Sequence, residues 1–244
     1  MSLRRVLAMA RYDLGAAARN GEQLLLVLGI PVLLLAFLAN VDVLPTGDGE
    51  PIDFLAPGII ALAVLSTAMT NLAISTGFDR EYGFLVRLGV TPLSRVELLA
   101  AKVLVVLVEL VVQLAVLLPL SLALGWDPSW DALLVVVAAV ALGAIAFGAV
   151  GFLLAGTLRG LVVLAAANAL YVVLLLIGGM VIDLDELPDA IAEVAQLLPT
   201  AALAGVLRDA FADRATDGRD WLVLVLWSIA APPVAARLFR WAPR

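Results

Sequence analysis

Six apolar stretches, each about as long as a bilayer is thick, leave this chain few ways to fold. Crossing a membrane takes about 20 residues, and suitable stretches lie near 23–42, 54–77, 97–125, 131–156, 161–182 and 220–239. Each reads as lipid-embedded helix, a conformation that pairs its own backbone N–H and C=O groups. Composition agrees: 64% of the 244 residues are hydrophobic, 15% are charged, and the mean hydropathy is +1.09. A soluble core of this size does not use so much apolar material, so the remainder must face lipid. The fold class expected is an all-α integral membrane protein with six transmembrane helices. No internal repeat, linker or low-complexity tract divides it, so 1–244 reads as one domain.

Local signals set the ends of these helices. Pro31 interrupts the first span, which neighbouring helices can accommodate. Ser94 and Glu97 have capping-box spacing and should start the third. Asp127-Pro128 suits an N-cap and first helical position for the fourth. Ala144/Gly148 and Gly151/Ala155 have the small-xxx-small spacing that lets helices pack closely. Gly178-Gly179 should loosen the outer end of the fifth span.

Arginine and lysine orient the chain. Arg4, Arg5, Arg11, Arg19, Arg80, Arg87, Arg95, Lys102, Arg159, Arg237, Arg240 and Arg244 fall on one side of a six-span topology, and only Arg208, Arg214 and Arg219 on the other. The positive-inside rule then puts both termini and the loop near 78–97 in the cytoplasm of a multi-pass cell-membrane protein. Asp42, Asp48, Glu50, Asp53, Asp183 and Asp185 fall outside, so the net charge of −6 implies no acidic partner, and no nucleic acid is expected.

Residues 1–20 do not read as a signal peptide, because Arg11, Asp13 and Arg19 break any apolar core. Leu3, Val6, Leu7, Ala10, Leu14 and Ala17 share a helical face, which suits an interfacial helix on the inner leaflet; a merely basic topogenic tail is the alternative. Between 183 and 219 two short apolar faces appear, Ile191/Val194/Ala195/Leu198 and Leu203/Val206/Leu207/Ala210/Phe211. They predict two short helices dipping into or lying on the outer leaflet, with a packed cap clear of the membrane as the alternative.

Absent chemistry narrows the function. The chain has no cysteine and no histidine, which removes thiolate chemistry, the commonest general base and the commonest metal ligand. No phosphate-binding loop and no helical His-Glu metalloprotease motif occurs. Direct catalysis is therefore not expected, and no cofactor or metal is expected to bind directly.

The polar interruption from Asp79 to Lys102 carries the strongest pattern. Phe84, Leu85 and Leu88 can share one face of a short helix, beside Arg80, Glu81 and Arg87, and Pro92 ends it. Such a helix suits docking into a partner's groove, or it simply caps the bundle. In the second span Thr67, Asn71 and Ser75 recur at i, i+4, i+8, beside Ser66 and Thr70, as a polar stripe that lines a cavity or packs helices. Glu109 lies inside the hydrocarbon, where an acid costs about 2.5–3.5 kcal/mol on insertion scales. It shares a face with Lys102 and Gln113, either to contact substrate or the opposite protomer, or to lock two helices. Asn168 and Tyr171 lie three apart in the fifth span.

The order Leu55-Ala56-Pro57-Gly58, Arg80-Glu81, Gly83, Leu88, Pro92-Leu93-Ser94-Arg95 and Lys102, then Leu198-Pro199-Thr200 and Arg208-Asp209-Ala210, resembles the membrane subunit of type-2 ABC exporters. Drug-resistance, polysaccharide and lipid exporters belong to that group. The resemblance implies an amphipathic N-terminal helix, a cytoplasmic coupling helix, and short outer helices before the last span. It further implies a permease that pairs with a second permease protomer, homo- or heterodimeric, and with two copies of a separately encoded ATPase that carries the ATP and Mg2+. Arg80, Glu81, Gly83, Leu85, Leu88 and Pro92 would then lie at or next to the ATPase contact. Asn168 and Tyr171 would meet the Thr67/Asn71/Ser75 stripe, because the second and fifth spans line the substrate path in the family; Glu109 and Gln113 of the third span are the remaining candidates for that path. The implied function is ATP-driven export of an amphipathic, drug-like or lipid-like molecule, or a polymer, by alternating access. A non-transporting membrane anchor for an ATPase and an intramembrane enzyme are the rival readings.

Overall fold

The computed structural model describes residues 2–19, 21–39 and 51–242. Asp42, Asp48, Glu50, Arg244 and the end of the first expected span lie outside the described residues. The described chain is all helical: α1 (Leu3–Ala17), α2 (Gly21–Leu38), α3 (Pro51–Leu65), α4 (Leu72–Glu81), α5 (Phe84–Gly89), α6 (Arg95–Ala123), α7 (Leu133–Thr157), α8 (Gly160–Ile177), α9 (Asp189–Ala195), α10 (Pro199–Phe211) and α11 (Gly218–Leu238). A π-helical turn, Ser66–Asn71, joins α3 to α4 in one continuous helix, Pro51–Glu81.

Among the described residues five helices are long and apolar enough to cross a membrane, Pro51–Glu81, α6, α7, α8 and α11, or six if the bent pair α9–α10 is one span. The first expected span, 23–42, corresponds to α2 over its described part, which includes the apolar stretch Leu28–Leu38. Its Pro31 lies inside the helix and turns, with Leu35 four residues on, towards the core. Helices α9 and α10, bent by 82° to one another, would supply a sixth crossing only as a pair.

The core runs along Pro51–Glu81, which is 83% buried over its apolar window, against 50% or less for the other candidate spans. Lipid offers no hydrophobic drive for helices to associate, so close van der Waals packing has to hold them. Helix α7 supplies it. Ala144, Gly148, Gly151 and Ala155 all lie buried on it. A Cβ on Gly151 would come within 2.5 Å of the Met69 carbonyl oxygen, so backbone meets backbone there.

Two boundaries differ from the sequence reading. Asp127-Pro128 does not open α7, which starts after Ala132. The preceding segment first crosses over the end of α10: the Ser129 N–H donates to the Phe211 carbonyl at 2.8 Å, and Trp126 packs edge-on to the Phe211 ring. Helix α8 stops at Ile177, well short of 182, because the chain turns at Gly178-Gly179, where Gly179 adopts φ +67°.

The expected capping box at the start of α6 is present, with Ser94 and Glu97 exchanging both bonds, at 2.9 and 3.2 Å. Glu97 does more than cap its helix. Its buried carboxylate also accepts from the Ser2 N–H at 2.6 Å and pairs with Arg5 at 3.3 Å, fastening the start of α1 to α6. Only part of the expected α1 face is covered: Val6, Met9 and Ala10 are buried, while Leu3 and Leu7 are exposed. The chain end returns to the same end of the bundle, where Phe239 stacks on Phe152 with centroids 4.0 Å apart and the Arg240 N–H donates to the Gly156 carbonyl.

Candidate functional site

The continuous helix Pro51–Glu81 and α6 run antiparallel, and that pairing brings the two polar stripes face to face. Thr67 donates its hydroxyl to Gln113 Oε1 at 3.0 Å, and Asn71 donates Nδ2–H to Glu109 Oε2 at 3.5 Å. Further along, the Lys102 ammonium lies 3.1 Å from Asp79 on α4 and 3.1 Å from Asp13 on α1. The partners' numbers in Thr67–Gln113, Asn71–Glu109 and Asp79–Lys102 sum to about 180, as antiparallel neighbours must. Thr67 and Asn71 fall in the π-helical turn, whose wider winding re-aims side chains relative to α-helix and recurs at functional sites. Ser75 turns its hydroxyl to its own helix, donating to the Leu72 carbonyl at 3.3 Å.

A cavity of about 330 Å³ opens between α1, α4 and α6, bordered by Asn71, Ser75, Asp79, Lys102, Glu109 and Asp13. Its sequence-predicted members are thus Asn71, Ser75 and Glu109, while Thr67 and Gln113 continue the ladder beyond it. Asp13 was a missed residue. Its signal was register: it follows Val6 and Ala10 on the covered face of α1, at i+7 and i+3. Burial raises the Asp13 carboxyl above the ordinary carboxylate range, an effect opposed by Lys102 and reinforced by Asp79.

Asn168 and Tyr171 do not join the ladder. Helix α8 meets α4 through Val163 and Ala167, packed near Ala73 and over Gly77. Asn168 comes one residue after Ala167, about 100° round the helix. It is exposed, and its amide donates to the Leu164 carbonyl of its own helix at 2.8 Å. Tyr171, one turn beyond Ala167, is half-buried.

At the α1 end of the bundle the loop after α4 holds a second candidate surface. Gly83 enters α5 at φ +76°, a left-handed conformation that a side chain would resist. The expected amphipathic face of α5 exists, but it points inward: Leu85 is fully buried, Phe84 and Leu88 are half-buried, and Phe84 stacks on Tyr12 at 5.5 Å. Arg80 is not a polar flank of α5. It is buried in α4, where its guanidinium donates to the Leu158 carbonyl. Glu81 accepts from the Gly160 N–H at 3.4 Å, so both residues tie α4 to the α7–α8 turn. Pro92 is exposed, and its carbonyl accepts from Arg5. The outward side carries Tyr82, Val86, Arg87 and Val90, with Tyr82 and Val90 79% and 87% exposed. The apolar face found by helical spacing therefore packs into the bundle, with Tyr12 of α1 against Phe84.

At the opposite end, Leu203, Val206, Leu207, Ala210 and Phe211 are all buried, and α10 packs on α3, α7 and α11. Protein, rather than an outer leaflet, covers this predicted face. Ile191 and Val194 of α9 remain exposed. Arg208 donates to the carbonyls of Met180, at 3.1 Å, and Phe54, at 3.5 Å, and sits 3.6 Å over the Phe54 ring. It therefore pins α10 to the start of α3 and to the turn after α8.

Among the described residues no cluster of acids has the arrangement of a metal site. A family model described as ABC-2 type transporter matches residues 4–212, which takes in α1 through α10, both polar stripes and the α5 loop. No curated protein matches the chain.

Proposed function

We propose, from the premise that this chain belongs to the ABC-2 type transporter family and is a membrane permease subunit with an ABC ATPase partner, that it exports an amphipathic, drug-like or lipid-like substrate. Two copies of the ATPase carry ATP and Mg2+, and this chain itself catalyses nothing. A second permease protomer completes the pathway, and alternating access moves the substrate from the cytoplasm or inner leaflet outward. The α1/α5 end faces the cytoplasm, with both termini, in the cell membrane.

One observation carries the reading. A single buried helix, Pro51–Glu81, bears the polar ladder along its length and leads directly into the exposed loop around α5. A rigid element with a partner-facing end and a polar interior face can convert movement at one into rearrangement at the other. In the contact we place Tyr82, Val86 and Val90 on the surface, with Glu81, Leu88 and Pro92 beside them and Arg80, Gly83 and Leu85 holding the loop in shape. A mere anchor for an ATPase would need the loop but not the ladder.

The chain and its candidate ATPase, reconstituted together in lipid nanodiscs, test this directly. Val86→Asp with Val90→Asp is expected to abolish co-purification while leaving the permease helical. Retained association and unchanged ATP turnover would refute the docking surface. Association without ATP-driven movement of any amphiphile in vesicles would favour the anchor.

A further inference from the structure

We infer that the cavity between α1, α4 and α6 binds the head of an amphipathic organic cation, an amine or guanidine on a small apolar body. The inference rests on the permease reading and names the substrate class for one of its sites.

Three carboxylates face this cavity, Asp13, Asp79 and Glu109, against one ammonium, Lys102. Lys102 is nine-tenths buried, donates an N–H bond to Asp79 at 3.1 Å and is ion-paired with Asp13 at 3.1 Å. An anionic head would find that ammonium committed. A cationic head finds carboxylate oxygens, among them Glu109, which accepts a long bond from Asn71 at 3.5 Å. The apolar walls come from Leu72, Val105 and Val106. At the rim the stacked rings of Tyr12 and Phe84 offer π faces, which attract cations and cover apolar surface. The volume of about 330 Å³ is at the small end of ligand pockets, so it takes a head group and a short body rather than a polymer. Because α1 forms one wall, a ligand can enter beside an interfacial helix without crossing the bundle.

Dansylcadaverine, a cationic dansyl amine, and dansyl-6-aminohexanoate, its anionic counterpart, test the charge selectivity with one fluorophore. Binding to the full chain in zwitterionic nanodiscs is read from dansyl emission. The cation is expected to bind at least about tenfold more tightly than the anion, the scale of one charge-assisted hydrogen bond. Glu109→Gln should remove about that factor, Ser75→Phe should fill the cavity and abolish binding, and Val111→Ala on the exposed face should change nothing. Equal binding of both probes overturns the inference, and so does a cation preference that survives Glu109→Gln and Ser75→Phe. The wild-type comparison decides even if a variant does not fold. Lost selectivity with intact ATPase association and transport removes this site alone; lost ATPase association removes the permease reading.

Discussion

Replacing Lys102 by methionine should cost more stability than any other single change in the polar ladder, and the structure sets how the loss divides. The ammonium bridges Asp13 and Asp79 at equal distances, but the surroundings differ: the Lys102 and Asp13 side chains are 8% and 12% exposed, and Asp79 is 35% exposed. Removing one partner of a buried pair costs about 3–5 kcal/mol, chiefly because the other charge is left uncompensated. That range applies to Asp13. Water already screens Asp79, whose share falls towards the 0–1 kcal/mol of exposed pairs. Lys102→Met is therefore expected to lose about 3–6 kcal/mol, and Asp79→Asn under about 1 kcal/mol. The triple variant Lys102→Met/Asp13→Asn/Asp79→Asn should return to within about 1 kcal/mol of the parent, since no charge is left stranded. Denaturant unfolding in nanodiscs, followed by circular dichroism, measures all three. Acidification supplies an internal check. With a folded-state pKa above the unfolded value, ionised Asp13 opposes folding. That penalty is absent below about pH 4, grows above it, and is complete above the raised folded pKa. Lys102→Met should accordingly regain stability as pH falls, more than the parent does. A triple variant as unstable as Lys102→Met, or Asp79→Asn costing more than Asp13→Asn, would refute the reasoning.

Two further outcomes follow from the packing. Glu97→Ala should free the start of α1 as well as uncap α6, so hydrogen exchange in residues 3–10 should rise far more than with Ser94→Ala, which removes only one capping bond worth about 1 kcal/mol. Equal effects would mean that the Ser2 and Arg5 contacts do not hold α1. Gly151→Ala should destabilise by about 1–3 kcal/mol because the new methyl meets the Met69 carbonyl, whereas Gly15→Ala, open on all sides, should be neutral or stabilising by up to about 1 kcal/mol. Matching melting temperatures for both glycine variants would show that α7 can move away from the π-helical turn.

Hydropathy and spacing were enough to find most of the helices, because a bilayer fixes both their length and their internal hydrogen bonding. The same local signals read the capping box at Ser94 and Glu97 and the facing stripes of Thr67/Asn71 and Glu109/Gln113 as helical faces. They could not say which neighbour each face meets, since apolar contact with lipid and with protein leaves the same pattern in a sequence. That choice was made in three dimensions. Helix α5 packs its apolar face into the bundle, so Leu85 turns inward and Val86 and Val90 outward; Asp13 joins Lys102 across a sequence distance that no periodicity spans. Likewise Ala167, rather than Asn168, meets α4, and α10 is wrapped by protein. The sequence by itself determined the segments and the end of the bundle where positive charge collects. Only the tertiary structure decided which side chains share a cavity, because a helix's own period sets its faces while its partners are set by packing between segments far apart in the chain.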